Sequence, residues 1–427
     1  VSSLSFNAPR REKERLLDTG NTAWVLMSTA LVLFMTPGLA FFYGGMVRSK
    51  NVLGMLMQNF FAMGILAVLW AVVVFSIAFG DAGDAGWFGS FEYAFLKDVP
   101  VGVPDPEGFF GFLTIPFVLF AAYQMTFAII TPALISGATA DRMKFSAYAI
   151  FISLWLIFVY GPVAHWVFGG GKLASWGALD FAGGTAVHIN AGAAALAVVI
   201  VLGARKGHGT EPMPPHNLPL TMLGTGILWF GWAGFNAGSA LAADGIAANA
   251  IMNTFLAASA AMLGWLLVER LRSRHATTLG AASGAVAGLV AITPCAGFVG
   301  GMAPIYIGAF AGAVCYLALG LKSLLRLDDS LDVIAVHLVG GLVGSILLGF
   351  FADDAINGVV TNEGIFVGGK GALLWDQIAA SAVTLGYSFV ASFIIAKVLD
   401  MTMGIRVDSA AEDEGLDLSQ HAEAAYA

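Results

Sequence analysis

Charge is what this chain has least of. Only 11% of its 427 residues are Asp, Glu, Lys or Arg, 58% are hydrophobic, and the mean hydropathy is +0.81. A soluble globule of this length needs far more charge to cover its surface, so a water-soluble enzyme is excluded. The net charge of −8 gives no reason to expect a nucleic-acid partner. Cysteine is almost absent. Cys295 and Cys315 both fall in apolar stretches and make neither a disulfide framework nor a zinc pattern. An HExxH-like pair and a dense His/carboxylate cluster are also missing, which argues against an intramembrane metalloenzyme built on His188, His337 and an aspartate. No cofactor is implied.

What the chain has instead is long apolar runs. Stretches near 21–45, 52–79, 112–137, 145–168, 181–204, 217–239, 247–268, 277–296, 298–321, 332–352 and 372–400 meet the roughly 20 residues a bilayer requires. They predict an all-α membrane protein of eleven transmembrane helices. Lys and Arg sort between alternate loops. One set carries Arg48, Lys50, Arg142, Lys144, Arg205, Lys206, Arg270, Arg272, Arg274, Lys322 and Arg326; the other carries Lys97, Lys172 and Lys370. The positive-inside rule then places the N-terminus outside and the C-terminus inside. Residues 1–18, with Arg10, Arg11, Lys13 and Arg15 but no apolar h-region, read as a flexible extension, not a signal peptide.

Within the apolar runs stand two histidines in matching frames, Ala186-Val187-His188 and Ala335-Val336-His337. An imidazole is costly in hydrocarbon, so an intramembrane histidine is a functional hypothesis. The frames occupy the fifth and tenth spans, and Ile130-Thr131-Pro132 of the third is echoed by Ile292-Thr293-Pro294 of the eighth. An offset of five spans is odd, so the two halves are inverted repeats of five helices, followed by a final helix, with a site near the midplane. Asp180 and Asp329 each precede a histidine by eight residues, roughly 12 Å if helical throughout. Asp180 reads as a helix N-cap or dipole partner, a role compatible with holding a cation nearby. In 231–239, Trp232, Phe235 and Ser239 sit at i, i+3 and i+7, one face of an α-helix. Aromatic faces attract partly desolvated cations, and the serine adds an acceptor. The acidic loop with Asp81, Asp84, Glu92, Asp98, Asp105 and Glu107 would raise the local cation concentration.

Several motifs occur in order over nearly the whole length: FFYGGMVRSKN at 41–51, AHWVFGGG at 164–171, GALDFAGGTAVHIN at 177–190, PHNLP at 215–219 and GFNAGS at 234–239. Asp328-Asp329, His337 and GIRV at 404–407, GLD at 415–417 and EAAY at 423–426 continue the series. With these the chain resembles the Amt/Mep/Rh ammonium transporters, specifically the Amt branch. The resemblance implies a homotrimer in the cell inner membrane, each protomer with its own pore through a membrane domain of residues 19–402, and a cytoplasmic tail at 403–427. It implies an outer site for ammonium, or methylammonium as its analogue, at Phe127, Trp232 and Ser239, supported by Asp180. It further implies a gate at Phe127 and Phe235, then the imidazole pair His188 and His337. A P-II-type signal protein would be a partner at the tail. The chain departs from the pattern at Phe168, where many Amt proteins carry a tryptophan, which puts the strength of recruitment in question. The rival readings are a Rh-type gas channel and an ammonium sensor.

Overall fold

The computed structural model describes residues 17–83 and 86–426; the basic segment at 1–16 and Asp84 of the acidic loop lie outside the described residues. Ten helices are long and apolar enough to cross a membrane, which makes the chain a multi-pass membrane protein. In chain order they are α1 (Thr19–Met46), α2 (Ser49–Phe79), α3 (Phe117–Thr139), α4 (Phe145–Ser175, interrupted at 169–171), α5 (Gly184–Leu202), α6 (Leu218–Ala240), α7 (Gly245–Ser273), α9 (Ala303–Leu325), α10 (Ile334–Phe351) and α11 (Ala372–Met403). The eighth expected span is a shorter helix, α8 (Thr278–Ile292), ending in a run of turns around Pro294. At 15 residues it rises only about 23 Å, less than the hydrocarbon core. Hydropathy predicts eleven helical passages, and ten meet the length criterion.

Polar caps fix where several helices begin. The Asp18, Asp244 and Thr277 side chains accept from backbone N–H groups of the first turns of α1, α7 and α8, satisfying donors that the helix itself leaves open. Small residues let backbones meet. A β-carbon on Gly308 or Gly312 of α9 would lie 2.2 or 2.1 Å from the Ala257 or Ala261 carbonyl oxygen of α7, the close approach that drives helix association where lipid gives no hydrophobic advantage. Among the described residues there is no β-strand; an isolated antiparallel bridge joins Met143 to Arg406.

Several helices are not α-helical throughout. Five contain π-helical turns, at Trp70–Val74, Leu156–Tyr160, Gly184–Ile189, Ala233–Ala237 and Ile334–Val339. Such turns cluster at functional sites. Three of them carry Phe235 and the two histidines.

Beyond α11 the chain turns back against the loops between helices. Two short helices, α12 (Ser409–Glu414) and α13 (Leu416–His421), lie there. Residues Arg406, Glu412 and Asp413, whose charges alone would suit a solvated end, are engaged. Glu412, 2% exposed, accepts from the Lys206 backbone N–H at 2.6 Å and from Arg406 at 2.7 Å, and Asp413 pairs with the Lys206 ammonium. Asp417 accepts from the Gly54 N–H at 2.8 Å, and the Asn51 side chain accepts from Leu416 N–H at 2.8 Å. Beneath the tail, Arg205 grips Asp328 through Nε at 2.9 Å and Nη2 at 2.8 Å. Burial alone would raise that carboxyl's pKa, but Arg205, with Arg142 nearby, holds it below the usual carboxylate range.

Candidate functional site

The two histidines meet. His188 Nδ1 lies 3.2 Å from His337 Nδ1, and the rings stack at 5.3 Å and 18°. Both side chains are buried. One nitrogen of such a pair must donate while the other accepts. Two glycines permit the approach. A β-carbon on Gly192, one turn after His188, would stand 2.5 Å from Leu338 N; one on Gly341, one turn after His337, would stand 3.0 Å from Gly184 O and 3.1 Å from His188 Cβ. α5 and α10 therefore cross in backbone contact at the level of the rings.

The stretch before each histidine is not continuous helix. Residues 180–183 are loop, and the helix opens directly into the π turn Gly184–Ile189; the other half likewise opens at Ile334. The 12 Å estimate from an unbroken helix therefore does not apply. Asp180 takes the capping role. Its Oδ1 accepts from Gly183 and Gly184 N–H at 2.7 and 2.8 Å, and its Oδ2 from Thr185 and Ala186 N–H at 2.8 and 3.1 Å. A carboxylate at a helix N-terminus is favoured both by these orphan donors and by the helix dipole.

The structure separates the aromatic residues into two groups. Phe127 and Phe235 touch, with centroids 4.5 Å apart and planes at 54°. On the histidine side, Trp232 stacks on His188 at 5.6 Å and 21° and donates from Nε1 to Thr293 Oγ1 at 2.9 Å. This corrects the one-face reading of Trp232, Phe235 and Ser239. The helix passes from α into π at Ala233–Ala237 and then into a 3-10 turn at Gly238–Ala240, so an α-helical spacing does not hold. Trp232 belongs with the histidines. The cavity there measures about 10 Å³ and is lined by Leu39, Trp232, Phe235, Val286 and both histidines, among others.

On the other side of the phenyl pair lies a vestibule of about 100 Å³, where Phe127, Phe168 and Ser239 come together. Ser239 donates to Phe235 O at 2.9 Å and lies 3.2 Å from the Tyr123 hydroxyl, so its oxygen retains acceptor capacity. Sequence reading missed the rest of this wall: Phe110, Phe112, Phe120, Gln124 and Phe181. Phe181 follows Asp180, and Gln124 lies three residues before Phe127, so adjacency offered a hint for these two; nothing marked Phe110, and Phe112, expected at the start of the third span, lies in the loop before the helix begins at Phe117. Trp166 does not enter the vestibule. It donates to Trp87 O at 2.6 Å and packs edgewise on Trp87 and Tyr387.

The larger cavity at Phe127 and the smaller one at Phe235 and the histidines thus adjoin the touching phenyl pair. The profile of the Ammonium Transporter Family matches residues 23–426. The ammonium transporter of Mycobacterium tuberculosis is 52% identical over 96% of this chain and 90% of its own length, and that of Bacillus subtilis is 46% identical over 96% and 99%. Among solved structures, Mep2 of Saccharomyces cerevisiae superposes with a TM-score of 0.86 at 34% identity, covering 93% of this chain and 90% of that one. A structure named Sensor Amt Protein does so at 0.86 and 27% identity, covering 96% and 100%. The chain belongs to the ammonium transporter family, a family of transporters and not of enzymes.

Proposed function

We propose that the chain takes ammonium at the vestibule and removes its proton, conducting ammonia, with or without that proton, past the imidazole pair. The observation that carries this reading is the contrast between the two compartments. One water needs roughly 10–15 Å³ of cavity, so the lumen of about 10 Å³ below Phe235 fits at most one small molecule. A bare cation there would lose its hydration with little in return, whereas ammonia has far less to lose. Potassium cannot shed a proton, so the same lumen discriminates against it. Histidine is suited to accept and return the proton, with two ring nitrogens and a pKa near neutrality in water.

In this reading Phe127, Phe168 and Ser239 capture the cation, Asp180 supports the site by fixing the half-helix beneath it, and Phe127 with Phe235 forms the gate. His188, His337 and Trp232 line the passage. The protein is a homotrimer in the cell inner membrane, with eleven helical passages in two inverted five-helix units plus α11, the N-terminus outside and the C-terminus inside. The docked tail faces the cytoplasm, where a P-II-type signal protein would bind. The π turns at equivalent places in α5 and α10 support the repeat.

The test is flux. Protein in liposomes is given an ammonium jump while current and internal pH are recorded. His188→Ala or His337→Ala should abolish or strongly alter flux in folded trimers, and His188→Glu should admit potassium. Parent rate and selectivity in all three would overturn the reading. A sensor, the reading favoured by the neighbour of that name, would bind ammonium with no flux in the parent protein.

A further inference from the structure

The vestibule and the lumen differ in size and in lining. Six phenylalanine rings, Phe110, Phe112, Phe120, Phe127, Phe168 and Phe181, wall a space of about 100 Å³, against about 10 Å³ below the gate. Side chains there that can accept a hydrogen bond from a cation are Gln124 and Ser239, and Ser239 already faces the Tyr123 hydroxyl at 3.2 Å. Ammonium brings four N–H donors, each satisfied in water, and two side-chain acceptors cannot replace that shell. As a single heavy atom it also leaves most of the space unfilled. A methylated ammonium reverses each term. It has few or no N–H donors to leave unpaired, its methyl groups are the preferred occupants of an aromatic cage, and each methyl withdrawn from water adds about fourfold in affinity.

We infer that the vestibule binds methylated quaternary ammonium ions more tightly than ammonium, and that these ions block the pore instead of crossing it. Block follows from the gate and lumen. Phe127 and Phe235 stand 4.5 Å apart, the compartment beyond them has no room for five heavy atoms, and a quaternary nitrogen has no proton to give up. Phe168 contributes to the preference because a phenyl ring there adds an apolar face without the N–H of an indole. The inference rests on the reading of this vestibule as the recruitment site.

The probe is tetramethylammonium added outside proteoliposomes while ammonium-driven current is measured over a range of ammonium concentrations. The expected result is competitive block, with a half-blocking concentration at least about tenfold below the half-saturating ammonium concentration, as two or more buried methyl groups would give, and no tetramethylammonium found in the lumen by mass spectrometry. Phe112→Leu and Phe168→Leu should each weaken the block about threefold by removing one ring face. Ser239→Ala should leave the block within about twofold while raising the ammonium concentration needed, since only ammonium uses that acceptor. Half-block at or above the ammonium half-saturation, block insensitive to both ring variants, or entry of the probe would overturn the inference. If block fails while Ser239→Ala still shifts the ammonium dependence, the preference alone is wrong. If neither Ser239→Ala nor Phe168→Leu shifts that dependence, the recruitment reading itself has failed and takes the inference with it.

Discussion

Asp180 offers the sharpest separation between holding a helix and attracting a cation. Its two oxygens accept four backbone N–H groups at 2.7 to 3.1 Å, two on each oxygen. Asp180→Asn keeps one accepting arm and turns an NH2 group toward the two donors on the other. Each donor left unpaired costs about 1–3 kcal/mol. Because the side chain is only half-buried, water can replace part of the loss, which places Asn near 2 kcal/mol and Ala, with both arms gone, near 4 kcal/mol. Three of the four donors belong to the π turn that carries His188, and the fourth, Gly183, precedes it, so the loss falls on the imidazole geometry as well as on stability. Thermal midpoints of the detergent-solubilised protein, together with flux per folded molecule at low and high salt, separate the roles. A positioning role predicts lower midpoints in the order parent, Asn, Ala and a flux defect that salt leaves unchanged. A long-range attraction predicts normal midpoints and a defect that shrinks as salt screens the parent. Normal midpoints and normal flux in Asp180→Asn would refute the capping argument outright.

Gly192→Val should cost about 1–3 kcal/mol or more, since its β-carbon meets backbone at 2.5 Å, and should cut flux beyond the loss of folded protein; Gly226→Ala, where a β-carbon meets nothing within 4 Å, is the matched control and should be neutral or mildly stabilising by calorimetry. Glu412→Gln weakens two contacts of a buried carboxylate whose Arg406 partner is partly exposed, a loss of about 1–2 kcal/mol, and should speed trypsin cleavage after Arg406; an unchanged cleavage rate would count against tail docking. Asp329 is raised to about 6 by burial and then by Asp332, with Lys322 opposing. A carboxyl whose folded pKa lies above its unfolded value of 3.8 costs stability above about pH 6 and relieves that cost as pH falls from 6 toward 4. The stability of Asp329→Asn relative to the parent should therefore be greatest at pH 8 and decline through pH 6 in thermal scans; a pH-independent gap would refute the assignment.

Much of this molecule is legible in its sequence, for identifiable reasons. The histidines stand out because ionisable groups in hydrocarbon are rare, and Asp180 because an acidic residue just before an apolar run suits a helix start. Other features leave no trace in hydropathy. Thr278–Ile292 is small-residue-rich and runs into the turns around Pro294, so an averaging window merges the short helix with those turns. The π turns defeat any argument from α-helical spacing, which groups Trp232 with Ser239 although its ring faces His188. The vestibule wall depends on loop residues Phe110 and Phe112, which fold over α3 from a segment with no periodicity at all. The tail charges Glu412 and Asp417 alone would suit a solvated end because two of their partners, the Lys206 and Gly54 N–H groups, lie more than 200 residues away in sequence.

The proposed repeat pairs two carboxylates whose surroundings differ. Asp180 and Asp329 stand at equivalent distances before their histidines, and each accepts from the opening turn of a π-helical segment. Asp180 satisfies both oxygens with four N–H groups. Asp329 takes Ile334 N–H at 2.7 Å on Oδ2, while its Oδ1 is buried without a protein partner. Nearby, Lys322 pairs with Asp332 and donates to the Asp329 carbonyl at 3.4 Å. A buried carboxylate with an open oxygen holds its proton more readily than one with both oxygens filled. The two carboxylates therefore differ in kind: Asp180 fills both oxygens with capping N–H groups, and Asp329 keeps one buried oxygen without a protein partner.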